Sequence, residues 1–246
     1  MKDRDFSVSI AVSEHDRRVA LDIGLDGMHD DEALSELQFL VGTFVRAGEE
    51  GAFCGDCFEP ARSRMAFAAD LVSTQTEIQW ALQTEGVVPS TYGVLLRILE
   101  HYHCYVAPLR HVIVQGGYSK QSPPATLHAP VGRSRAVGVE LPEAPGNKER
   151  RVQIEFHDPI DETVKARLFD AYAAWLRLCF GGFPREKTTS CETGISASDP
   201  YLVDAYTLEG MIYVFDSDES AFDLIVNIAA NLHRTGAPVA SVRIDG

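Results

Sequence analysis

Basic side chains are scarce in this chain. Its 246 residues hold 22 lysines and arginines against 36 aspartates and glutamates, a formal net charge of −14. Such a balance repels phosphate backbones and argues against a nucleic-acid partner. Long apolar runs are missing as well. None approaches the roughly 18–20 residues that a membrane helix needs. The opening Met1-Lys2-Asp3-Arg4-Asp5 is polar and has no apolar core of the secretory type. No membrane association is therefore expected. Cysteine is sparse and odd in number, five in all. That suits a reducing compartment rather than a disulfide framework, so the expected location is the cytoplasm.

The short motifs of catalysis are absent too. There is no Gly-rich phosphate loop, no G-x-S-x-G and no H-E-x-x-H. Gly116-Gly117 follows an expected strand but leads into Pro-rich sequence rather than a helix, the wrong context for a phosphate site. No catalytic residue, cofactor or metal is expected.

What the chain does contain is one pattern written twice. Arg17-Arg18-Val19-Ala20-Leu21-Asp22-Ile23 is echoed by Arg150-Arg151-Val152-Gln153-Ile154-Glu155-Phe156. Each is followed by an acidic helix start, an amphipathic helix and a Gly-bearing stop. Val8, Ile10 and Val12 alternate with period two, as do Val19, Leu21 and Ile23. The turn Ser13-Glu14-His15-Asp16 between them reads as a hairpin. Asp30-Asp31 precedes a helical stripe of Leu34, Leu37, Val41, Phe44 and Val45. Strand patterns follow at Met65 to Leu71 and Ile78 to Leu82, then a helix from Pro89-Ser90 and a strand from Leu109 to Val114.

The second half repeats this order. Its first helix carries Val164, Leu168, Tyr172, Trp175 and Cys179. A hairpin is expected around Glu209-Gly210, with Tyr213 and Phe215 facing the core. The final helix carries Phe222, Ile225, Val226, Ala229 and Leu232.

Without its leading strand each half is β-α-β-β-α-β, the order of the ferredoxin-like split βαβ. The fold class is thus α+β: tandem duplicated ferredoxin-like units (β-βαββαβ), with antiparallel sheets and helices on one face of each. The expected domains are 1–117 and 134–246, joined by a Gly/Ser/Pro-rich linker over 118–133. Residues 1–118 hold 9 bases and 18 acids, residues 119–149 hold 4 and 3, and residues 150–246 hold 9 and 15. Both units are acidic and the connector is not.

Several groups invite chemistry and have a plainer reading. Cys54 and Cys57 form a C-x-x-C, but no second pair completes four zinc ligands, and His101, His103 and Cys104 are the residues left to supply the rest. The pair also follows a helix, the wrong context for redox chemistry. Incidental loop cysteines are the expectation. His101 and His103 fall on different sides of a helix near its end, where histidine suits the dipole. Asp216, Asp218 and Glu219 precede a helix, and capping explains them.

The expected function is a non-enzymatic, acidic protein-binding module with a basic protein as partner. A cytoplasmic inhibitor or immunity protein for a basic toxin or enzyme has this profile. The expected contact residues are Asp22, Asp70, Glu155 and Asp204, on the polar faces of the two sheets. The alternative is a small-molecule enzyme or sensor with a pocket between the sheets. Open, polar sheet faces would favour the binder, and a concave aromatic cleft would favour the pocket.

Overall fold

The computed structural model describes residues 6–53, 64–68, 72–118, 121–141, 149–183, 196–215 and 218–245. They form an α+β fold of two six-stranded mixed sheets and four long helices. The first sheet comprises β1 (Ser7–Ala11), β2 (Arg18–Leu25), β3 (Arg64–Phe67), β4 (Val72–Ser73), β5 (Glu77–Glu85) and β6 (Leu109–Gly116). Its order is β1-β6-β2-β5, with β3 and β4 along the remaining edge of β5. Helices α1 (Asp31–Glu49) and α2 (Thr91–Tyr105) belong to this half, and α3 (Pro124–Leu127) is a single turn in the connector.

The second sheet comprises β7 (Gly138–Glu140), β8 (Arg150–Phe156), β9 (Ser196–Ala197), β10 (Tyr201–Leu202), β11 (Thr207–Val214) and β12 (Val239–Asp245). Its order is β7-β12-β8-β11, with β9 and β10 on β11. Its helices are α4 (Glu162–Gly181) and α5 (Ala221–Arg234).

The two sheets share their registers. Leu21 lies opposite Val114 and Trp80, and Ile154 lies opposite Val242 and Leu208. The edge strands join at Ile10–Val114 and Val139–Val242. Helix starts match as well. The Asp30 carboxylate accepts from Ala33 N at α1, and Asp161 accepts from Val164 N at α4. Ser90 and Ser220 begin α2 and α5 without a side-chain cap.

Three expectations are corrected. The sheets are mixed rather than antiparallel, because β1 and β7 pair in parallel with β6 and β12. No β1–β2 hairpin exists, since β6 lies between them. The link instead passes over the end of β6. There Asp16 accepts from Ser13 N at 2.6 Å and Tyr118 N at 2.9 Å. Its carboxylate rests where any side chain at Gly116 would collide with it. Finally, Glu209 and Gly210 lie within β11, and the turn falls at residues 203–206. Leu208, Gly210 and Ile212 face inward, which turns Tyr213 out to solvent at 50% exposure. Phe215 does reach the core and stacks on Phe222 at 4.5 Å.

The helices occupy the middle of the molecule. One apolar core runs from the inner face of the first sheet to that of the second. Helices α1 and α2 pack on α4. Every residue of α5 from Ala221 to Leu232 is buried, polar ones included, as expected of a helix enclosed on all sides. Trp175 fills the α4 side of this layer and donates from Nε1 to the Ala221 carbonyl at 2.8 Å. The connector also packs inward. Ser122 Oγ donates to Val12 O, Val131 is buried, and Arg133 pairs with Asp223 at 2.8 Å.

Candidate functional site

With the helices packed between the sheets and α5 wholly buried, the outer sheet faces are broad regular surfaces. On the first sheet the period-two alternation of β2, β5 and β6 turns Asp22, Glu77 and His111 outward. Their registers converge on one glycine. Gly24 lies opposite Glu77 on β5 and opposite His111 on β6. A Cβ at Gly24 would run into the His111 ring, so glycine lets the imidazole lie over β2. His111 Nε2 comes to 3.4 Å from Asp22 Oδ1. One ligand-type atom from each of Asp22, Glu77 and His111 lies within 4.8 Å of the other two, and all three residues are half-buried.

Around them, Gln79 donates to Glu77 Oε1 at 2.9 Å, and Arg110 Nε donates to His111 Nδ1 at 3.4 Å. Burial pushes the Asp22 carboxyl above its ordinary value. The nearby Glu77 charge adds to this, and the His111 hydrogen bond opposes it. The Gln79 hydrogen bond holds the Glu77 carboxyl below its ordinary value, helped by a hydrogen bond with Asp22.

The second sheet has a different outer face. Glu155 accepts from Ser241 Oγ at 3.1 Å. Glu209 is buried and accepts from Gln153 at 2.7 Å and from the Tyr201 hydroxyl, with Arg151 at 3.9 Å. Burial would raise its carboxyl, but these partners outweigh it and hold it low. Arg243 pairs with Glu140 at 2.6 Å.

The four acids expected as contacts therefore part company. Asp22 joins the His111 cluster, and Glu155 is hydrogen-bonded on the second sheet. Asp204 is not on a sheet face but in the β10–β11 turn, where it accepts from Tyr206 N at 2.7 Å. Asp70 lies outside the described residues, as do Cys54, Cys57, Cys191 and Asp216. Glu77 and His111 were not expected from the sequence. His103 has a structural use, since its Nδ1 accepts from Leu109 N at 2.8 Å and its ring meets Phe6 at 5.0 Å. Asp218 accepts from Ser220 N at 2.9 Å, a local turn bond ahead of α5. At the start of α1, Asp31, Glu32 and Glu36 are exposed and form no ion pair among the described residues.

A cleft of about 210 Å³ lies where the halves meet, between the starts of α2 and α5 and the connector. Ser90, Arg97, His128, Phe183, Asp218 and Ser220 are among its lining. It falls short of the roughly 300–1,000 Å³ usual for small-molecule sites.

No family model matches the sequence, and no curated protein matches it. A solved structure described as a conserved protein from Enterococcus faecalis V583 aligns over 92% of this chain and 76% of its own. The identity is 10% and the TM-score 0.19, a likeness too slight to carry an argument. No helix among the described residues is long and apolar enough to cross a membrane.

Proposed function

We propose that this protein is a non-enzymatic binding module for a basic protein partner, in the manner of a cytoplasmic inhibitor or immunity protein for a basic toxin or enzyme. The observation that carries this reading is the placing of the helix layer between the sheets, with α5 wholly buried. It leaves both sheets with polar outer faces open to solvent, on a chain of net charge −14. Opposite charge on a partner speeds encounter and sets specificity. The acids of the sheet faces are mostly partnered, whereas Asp31, Glu32 and Glu36 form no ion pair among the described residues. The start of α1 is therefore the leading contact surface, with Asp22, Glu155 and Asp204 as further acids. The alternative of a small-molecule enzyme or sensor has less support. Helices fill the space between the sheets, and the cleft beside them is small.

The chain is further read as a duplication of one ferredoxin-like unit, each copy extended by a parallel edge strand. The units cover 1–117 and 134–246, with the connector at 118–133. Matching registers at Leu21 and Ile154 and matching caps at Asp30 and Asp161 support this. The cytoplasmic location rests on the low cysteine count.

Affinity capture from the native host, with identification by mass, supplies the partner, and its binding is then followed as salt rises. The expected result is a basic protein whose association rate falls about tenfold or more while its dissociation rate changes less. Charge reversal at Asp31 and Glu32 should slow association further. An association rate indifferent to salt and to these reversals would remove electrostatics as the recognition mechanism.

A further inference from the structure

We propose that Asp22, Glu77 and His111 form a binding site for one divalent transition-metal ion of the zinc class. Three adjacent strands, β6, β2 and β5, each contribute one ligand from a rigid hydrogen-bonded frame. Two carboxylates and one neutral imidazole balance the charge of a dication. The imidazole favours zinc, cobalt or nickel over magnesium or calcium, which prefer oxygen alone.

The geometry fits. Bonds of about 2.0–2.1 Å in a tetrahedral site put neighbouring ligand atoms about 3.3 Å apart. His111 Nε2 and Asp22 Oδ1 already stand 3.4 Å apart. Glu77 lies within 4.8 Å and closes the remaining distance by side-chain rotation at the head of its strand. Water fills the fourth position from the solvent side. An ion at this point replaces the repulsion between two close carboxylates with attraction to both. Coordination through Nε2 moves the imidazole proton to Nδ1, so the Arg110 guanidinium must turn away from that nitrogen.

The second sheet provides a control. Its registers put Glu155 at the place of Asp22, while Ala205 falls near the place of Glu77 and Val239, paired with Phe156, turns into the core, so that β12 offers no imidazole there. Among the described residues, only the first half offers three such ligands together.

Tag-free protein, stripped with a chelator, is titrated with zinc chloride by calorimetry, and with cobalt(II) by visible absorption. One ion per chain is expected, with binding weakened at least about tenfold in Asp22→Asn, Glu77→Gln and His111→Ala. Glu155→Gln and the Cys54→Ser/Cys57→Ser pair should bind as the parent does. The cobalt spectrum should show d–d bands without a thiolate charge-transfer band. Circular dichroism and melting confirm that each variant folds. The proposal is overturned by the absence of stoichiometric binding, by binding unchanged in all three ligand variants, or by binding that disappears with Cys54 and Cys57.

Discussion

Asn227 on α5 donates from Nδ2 to the carbonyl of Ala52, 3.0 Å away, across the junction between the two halves of the chain. The same amide donates to Gly132 O at 2.9 Å, and its Oδ1 accepts from Ser134 N at 2.7 Å. One buried side chain thus ties together the loop after α1, the connector and the last helix. Asn227→Ala strips three backbone groups of their partner, two of them in buried bonds and the third part-buried. At about 1–3 kcal/mol for each group left unsatisfied, with partial rescue by relaxation, the loss should be about 2–4 kcal/mol. Denaturant unfolding of the two proteins measures it. A change below about 0.5 kcal/mol would show that the three groups find other partners.

Trp175 is fully buried, with Tyr172 at 5.3 Å, edge-on, and Phe222 at 6.1 Å. Trp175→Ala should cost about 3–5 kcal/mol, the range for removing a large enclosed aromatic. Trp175→Phe keeps most of the volume but leaves the Ala221 carbonyl without the indole donor. It should cost less, about 1–2 kcal/mol. Equal losses in the two variants would show that packing contributes little here.

Much of this packing is legible in the sequence. Leu168, Tyr172, Trp175 and Cys179 recur at helical spacing, and all four are buried. The alternation of Val19, Leu21 and Ile23 fixes which side of β2 is wet, so Asp22 could be placed outward. What the pattern does not carry is which strands are neighbours. The short β1–β2 link looks like a hairpin because proximity in sequence is the only information available there. The inserted β6 comes from nearly a hundred residues later. For the same reason Glu77 and His111 were invisible as a pair. Each is an ordinary outward residue on its own strand, and only the order β6-β2-β5 brings both to Gly24. Tyr213 turns outward because the hairpin turn falls at residues 203–206 rather than at Glu209-Gly210, which gives the inward face of β11 to Leu208, Gly210 and Ile212. Asp204 went the same way, from an expected strand to a turn.

Acid should act on the second sheet through Glu209. Its carboxyl is held below the ordinary 4.5 of a glutamate, so the ionised form is favoured by the fold. The resulting stability is present above that value and is lost as pH falls through the lower, folded-state value. In Glu209→Gln this pH-dependent part is missing. The stability difference between wild type and variant should therefore shrink as pH is lowered from 6 to below about 4. Urea unfolding at stepped pH measures it. A difference constant with pH would mean that Tyr201, Gln153 and Arg151 do not favour the charged form.

At Gly93 two effects pull in opposite directions. Alanine in a helix interior is favoured over glycine by about 1 kcal/mol. Yet a Cβ at Gly93 would strike the backbone carbonyl of Leu127 in the connector. A main-chain atom packed against α2 gives way less easily than a flexible side chain, so the clash should win. Gly93→Ala is expected to lower the melting temperature. A rise would mean that the connector can lift off α2 at little cost.

In many α+β proteins the helices form a wet outer coat, and substitutions gather on their exposed sides. Here the outer faces of the strands form much of the wet surface, and α5 has no outer side over twelve consecutive residues. Tolerance to substitution should follow that inversion. A saturation scan should find α5 intolerant at nearly every position, without the usual three-to-four-residue rhythm. Along β5, whose residues alternate between buried and open from Ile78 to Glu85, tolerance should rise and fall with every second residue. The outward half of the strands, like the open start of α1, is free to acquire new contacts, and α5 is not.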